Sequence, residues 1–248
     1  MPLLKEKFTA FFLWLIKPFS LRWSLLLFLC IFFGVAIGSR VNFTATGLTY
    51  LQFITPGLMA MHLISSSYEN TSSSLFIGRW HNHIQEILLA PLSYIEMVMG
   101  LLAGGVARGI LVCMGVWLIS LLFTPSFIAH PLALLYFMVM IAVIFSCAGM
   151  MGALWAEDFG MLSMWNTYVI IPLALLGGVF HPLFMLPPAL QIISHFNPMY
   201  YLVSGIRYSM TNVTDTPALT CALVTLAMAA TIFTATVYLF KIGYKLRT

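Results

Sequence analysis

Long apolar runs separated by short polar punctuation dominate the chain, and each run approaches the roughly 20 residues a membrane-crossing helix needs. Six such spans are predicted. They run from about Trp23 to Ser39, Leu48 to about Ile64, Met97 to Phe123, Pro131 to Leu154, Gly160 to Phe180 and Ala218 to Phe240. The second carries a polar Ser/Thr tail reaching Ile77, and the third is interrupted by Arg108. Between spans five and six, residues 181–216 are apolar but broken by Pro182, Pro187, Pro188 and Pro198. Proline removes a backbone donor and ends helices. Two short helices dipping partway into the membrane fit that stretch, because irregular backbone at membrane depth needs shielding by protein or a cavity. The expected class is therefore all-α and polytopic, one transmembrane domain over residues 1–248.

Composition narrows the class further. Of 248 residues, 61% are hydrophobic and 7% charged, with a mean hydropathy of +1.00. Soluble domains carry about 25% charged residues, so a soluble enzyme is excluded. Disorder is excluded as well, since it requires low hydrophobicity and high charge. The net charge of +4 is not a nucleic-acid signal, because no dense basic stripe interleaved with aromatics is present. Lys5, Lys7, Lys17, Arg22, Arg79, Lys241, Lys245 and Arg247 fall on one side of the predicted spans, Arg40 and Arg207 on the other. The positive-inside rule makes the first side cytoplasmic and puts both termini there. Residues 1–22 mix Phe8, Phe11, Phe12 and Trp14 with lysines and are expected to form an amphipathic helix on the inner surface. An uncleaved first span is favoured over a signal peptide, because the basic region is long and Trp23 to Ser39 suffices to span.

Candidate chemistry is sparse. There is no phosphate-cradling Gly-x-x-x-x-Gly-Lys-Ser/Thr, so the chain is expected to bind no ATP, and no catalytic set or metal motif stands out. His81 and His83 are spaced wrongly to share a helix face. Cys30, Cys113, Cys147 and Cys221 sit in apolar runs and are expected to be small buried thiols. Gly34/Gly38, Gly100/Gly104 and Gly105/Gly109 repeat at the spacing that lets membrane helices approach closely. Two ionisable residues in apolar context, Arg108 and Glu69, are costly enough to be candidates for function. The competing expectations are an internal partner for Arg108 and an inner-headgroup position for Glu69. In the loop after span two, Ile84, Ile87 and Leu88 form one helix stripe, ended by Pro91.

Three stretches carry a family pattern: Phe53-Ile-Thr-Pro-Gly-Leu58; Asn82 to Pro91 followed by Gly104-Gly-Val-Ala-Arg-Gly109; and Gly177-Gly-Val-Phe180 with Leu186-Pro-Pro188, Gln191, Asn197-Pro198, Tyr201 and Arg207. In this order they resemble the permease subunit of ABC type-2 transporters, small six-span bacterial membrane proteins whose ATPase is a separate chain. The resemblance covers about residues 40–212, and Glu69 stands outside its pattern. It implies a bacterial inner-membrane homodimer in contact with lipid, served by cytoplasmic ATPase subunits that hold the ATP and Mg. It implies outward movement of a lipid-like, glycan or drug-like substrate. It also implies that residues 79–91 form the coupling helix, with Arg79, His83, Ile84, Glu86, Ile87 and Leu88 facing the ATPase. The re-entrant segment would shape the exit through Gly177, Gly178, Phe180, Pro187, Asn197, Pro198, Tyr201 and Arg207. The alternative is a stand-alone secondary transporter or channel, though no internal repeat or acidic relay supports it.

Overall fold

The computed structural model describes residues 48–81, 93–124, 128–180, 187–213 and 216–245. The first span, the interface helix and residues 82–91 of the coupling segment lie outside those residues. All regular structure among the described residues is helical. In chain order α1 is Tyr50–Trp80, α2 Tyr94–Leu121, α3 Pro131–Trp155, α4 Phe159–Met164, α5 Ile171–Leu176, α6 Pro188–Phe196, α7 Pro198–Thr211 and α8 Ala218–Lys241. A π-helical turn, Trp165–Ile170, joins α4 to α5, so residues 159–176 form one continuous rod. Four of these elements are long and apolar enough to cross a membrane: α2, α3, the rod 159–176 and α8.

The third, fourth and sixth predicted spans thus stand within three residues of their expected ends. The second does not. Its Ser/Thr stretch is not a tail but the second half of one 31-residue helix, about 46 Å long. Thr55, Ser66, Ser67, Thr71 and Ser72 are all buried. Three of these hydroxyls bond carbonyls one turn back: Thr55 donates to Leu51 O at 2.8 Å, Ser66 to His62 O and Thr71 to Ser67 O at 3.0 Å. A hydroxyl that bonds its own helix is cheap to bury, which is why low hydropathy there did not mean exposure. The fifth predicted span also ends early, at Leu176 rather than Phe180. Gly178 takes φ +81°, a conformation that suits glycine, and the chain turns there.

α1 is the central helix, packed along α3 and α2, while α8 lies against α3 and α7 against α8, α3 and α1. Cross-helix polar bonds add to the apolar core: Thr71 Oγ1 donates to Ser146 O at 2.9 Å and Tyr136 Oη to Ala222 O at 2.9 Å. Of the glycine pairs, Gly105 and Gly109 bring α2 onto α1 and α3, where an added Cβ would strike Thr71 and Ser146 or Ser67 and Leu63. Gly100 faces open space and Gly104 has only Asn70 near it, so that expected packing pair is not formed among the described residues. Cys113, Cys147 and Cys221 are buried free thiols, as expected.

Helix ends sort into two levels. At one, Arg79 near the end of α1 donates Nη1 to Ala153 O (2.5 Å) and Leu154 O (3.3 Å) at the end of α3. Glu157, between α3 and α4, meets Lys245 beyond α8 at 3.7 Å. The α3–α4 connection and the end of α8 are therefore on the same side, as alternating spans require. At the other level lie the starts of α1, α3 and α8 with α6 and α7. Pro187 immediately precedes α6, whose exposed Ile192, Ile193 and Phe196 form an apolar face. At 9 and 14 residues, about 14 and 21 Å, α6 and α7 are too short to span.

Candidate functional site

Three helices converge on a cavity of about 360 Å³, set against the middle of α2 and the first half of the rod 159–176. α1 supplies Tyr68, Glu69, Ser72 and Ser73, α2 supplies Arg108, and the rod 159–176 supplies Ser163, Asn166 and Thr167. Arg108 sits about 21 Å along α2 from Tyr94, near the middle of the helix. Glu69 lies about 16 Å from Trp80 along α1. Both charges are held by amides. Arg108 Nη1 donates to Asn70 Oδ1 at 3.1 Å, and Asn166 Nδ2 donates to Glu69 Oε1 at 2.9 Å. The internal partner expected for Arg108 is thus present, and both sequence candidates line one cavity. Asn166 was not anticipated. It lies in the π turn, where an i→i+5 bond from Ile171 N–H to Asn166 O widens the helix. Such turns are rare and recur at functional sites. No periodicity in the sequence marks one.

A second constellation closes the far end of the rod. The last turn of a helix leaves carbonyls without intrahelical partners, and here side chains from α1, α6 and α7 supply donors. Asn197 Nδ2 donates to Leu173 O at 2.6 Å, Ser194 Oγ to Leu176 O at 3.1 Å, Arg207 Nη2 to Gly178 O at 2.6 Å, and Tyr50 Oη to Phe180 O at 3.3 Å. Asn197 also caps α7, accepting from Met199 N–H at 3.0 Å, with Pro198 in the first helical turn where its missing donor costs nothing. Tyr201 Oη donates to His195 O at 3.0 Å.

Arg207 is not an exposed external charge. Only 3% of it is accessible, and its guanidinium lies 3.9 Å from the centre of the Phe53 ring. The resemblance had grouped Gly177, Gly178, Phe180, Pro187, Asn197, Pro198, Tyr201 and Arg207; of these the bonds above join Gly178, Phe180, Asn197 and Arg207 around one turn, while Tyr201 bonds His195 and Pro187 stands exposed ahead of α6. Asn212 ends α7 in a left-handed conformation and faces His130 Nε2 at 3.2 Å.

Of the expected coupling residues only Arg79 is described, and its guanidinium binds the carbonyls closing α3. His83, Ile84, Glu86, Ile87 and Leu88 lie outside the described residues. No cluster of metal-ligating side chains occurs among the described residues.

Comparison with known proteins adds an independent line. The family model for ABC-2 type transporter matches residues 9–211. The chain is 40% identical over 190 residues to the inner membrane transport permease YadH of Escherichia coli strain K12, covering 77% of this chain and 74% of that one. It is 28% identical over 182 residues to nodulation protein J of Rhizobium leguminosarum bv. viciae, covering 71% and 67%. With the putative transport permease ycf38 of Porphyra purpurea it shares 23% over 190 residues, 75% and 65% of the two chains.

Proposed function

We propose, from the premise that the chain belongs to the ABC-2 type transporter family, that it is the membrane-spanning subunit of an exporter driven by a separate ATPase. The chain is a transport permease by family. Its apolar helices and its inner-membrane relative support a multi-pass protein of the bacterial inner membrane. The finer reading is that two copies assemble with cytoplasmic ATPases, that both termini face the cytoplasm, and that a lipid-like, glycan or drug-like substrate moves outward. ATP and Mg would reside on the ATPase, since this sequence has no loop to cradle phosphates.

The observation that carries the transport reading is the cavity in which α1, α2 and the rod bring Glu69 and Arg108 together. Charges kept within membrane helices are expensive and mark pathways for polar cargo. The rod lining it ends in a turn held by α6 and α7, so a shift of the rod is felt at the far end. That linkage supports α6 and α7 as the exit-shaping pair.

The test is co-purification with a candidate ABC ATPase subunit co-expressed with it, then a screen for compounds that raise ATP hydrolysis by the complex. Capture with compound-stimulated hydrolysis is expected. Transport by the chain alone, insensitive to ATP, would instead establish the secondary-carrier reading, for which Glu69 lining the cavity is the favouring observation.

A further inference from the structure

We propose that residues 159–170 form a movable wall, hinged at Pro172 against a fixed far half of the rod. The hinge stands whether or not the chain is a permease. Its cause is one missing hydrogen. Pro172 lies inside the continuous rod, in the first turn of α5, and is exposed. Proline has no N–H, and its ring crowds the carbonyl one turn back, so a helix bends where one occurs in its interior. Neither Tyr168 O, four residues back, nor Thr167 O, five back, receives a bond from position 172. The break follows directly on the π turn, in which the Ile171 N–H reaches Asn166 O. A widened turn and a missing donor in succession weaken the backbone ladder from Asn166 to Pro172.

The rod's neighbours divide at this break. The rod residues lining the polar cavity, from Phe159 to Thr167, all precede Pro172. So do Trp165, Val169 and Ile170, which line an apolar pocket of about 300 Å³ beside it. The four bonds that α1, α6 and α7 make to the far end all go to carbonyls after Pro172, those of Leu173, Leu176, Gly178 and Phe180. Packing is tight there too, since a Cβ added at Gly177 would lie 3.0 Å from that of Met199. The cavity half is held more lightly. Met164 and Tyr168 are largely exposed, and Tyr68 Oη reaches Leu162 O only at 3.5 Å. Asn166 Oδ1 is buried without a hydrogen-bond partner among the described residues. An acceptor left open in this way makes the present position of the wall costly.

The two halves therefore transmit different motions. A shift along the rod's axis passes through the break, because the chain is continuous, whereas a bend is taken up there. Swinging the wall changes the volume of both pockets while the turn held by Arg207 stays in place. Trp165, whose ring lies 6.4 Å from that of Trp155 where both line the apolar pocket, moves with the wall.

The experiment uses the full chain purified in an alkyl maltoside, with backbone hydrogen–deuterium exchange read by mass spectrometry. Exchange reports local opening segment by segment. In the wild type, amides of residues 165–171 are expected to exchange about tenfold or more faster than those of 173–177. Pro172→Ala supplies the missing donor at an exposed position. Exchange over 165–171 should then slow by about tenfold, with 173–177 unchanged. Ser194→Ala removes the bond to Leu176 O. It should speed exchange over 173–177 by about threefold or more without reaching 165–171. A rod that moves as one body would carry each change along its whole length. Uniform protection across Pro172 in the wild type, no slowing in Pro172→Ala, or a Ser194→Ala effect that spreads to 165–171 overturns the proposal. Should Pro172→Ala lose its monodisperse state, the wild-type contrast and Ser194→Ala decide. None of these results touches capture of the ATPase, so the permease reading stands or falls separately.

Discussion

Replacing Gly57 by alanine adds one methyl group at the closest approach of α1 to the turn after the rod. The new Cβ would lie 2.9 Å from Val179 Cα and 3.0 Å from its carbonyl carbon, and nearer still to the carbonyl oxygen. Carbon atoms pack best at about 3.5–4.0 Å, so the backbone at Val179 must retreat by close to an ångström. It is poorly placed to do so. Val179 is fully buried, Arg207 holds the carbonyl of Gly178, and Tyr50, two turns before Gly57 on α1, holds that of Phe180. Overpacking alone costs about 1–3 kcal/mol. Lengthening the charged bond from Arg207 forfeits part of a further 1.5–3 kcal/mol or so. The expected total is roughly 2–4 kcal/mol, read by denaturant unfolding in detergent against the wild type. Gly100→Ala is the control. Nothing among the described residues lies within 4 Å of its added Cβ, and it should stabilise α2 by about 0.5–1 kcal/mol. A Gly57→Ala protein as stable as the control would refute the close-approach reasoning.

Arg79→Met keeps the aliphatic stem but leaves the Ala153 and Leu154 carbonyls without this donor. A loss of about 1–2 kcal/mol is expected in thermal unfolding, modest because Arg79 is partly exposed; no loss would return Arg79 to a purely interfacial role. A reporter fused after Thr248 is expected to be active only in its cytoplasmic form, and periplasmic activity would reverse the charge-based orientation. If the ATPase docks on residues 79–91, Glu86→Arg should leave expression intact while weakening pull-down of the ATPase and transport in the same cells, because charges at an interface govern encounter and specificity. Wild-type values for both would favour a helix resting on lipid.

Much of this architecture is legible in hydropathy alone, because crossing a membrane forces length and apolarity on α2, α3 and α8 alike. What hydropathy hides is polar burial. Thr55, Ser66 and Thr71 lower the average of α1, yet their hydroxyls bond within the helix or to α3 and the segment packs at the centre of the bundle. Positive charge misleads in the same way at Arg207. Counted as an external marker, it is a buried donor whose target, the Gly178 carbonyl, becomes available only after the chain turns. Arg108 and Glu69 were legible as anomalies because charge stands out in an apolar run. Their convergence on one cavity was not, since it depends on how α1 and α2 are rotated about their axes. Asn166 is an ordinary amide in the sequence, and only the backbone around it gives it a part.

That backbone turn has a consequence for the lineage of the chain as much as for its mechanics. A π turn is equivalent to one residue added to an α-helix without breaking it. Removing a single residue between Trp165 and Ile170 would restore the regular ladder while Ile171–Leu176 kept its present face toward α7. The residues before the deletion would keep theirs as well. What would change is the bulge itself, and with it the orientation that sets Asn166 against Glu69. The rod therefore tolerates an indel in its middle with the bundle intact, and that single step resets which amide the cavity presents.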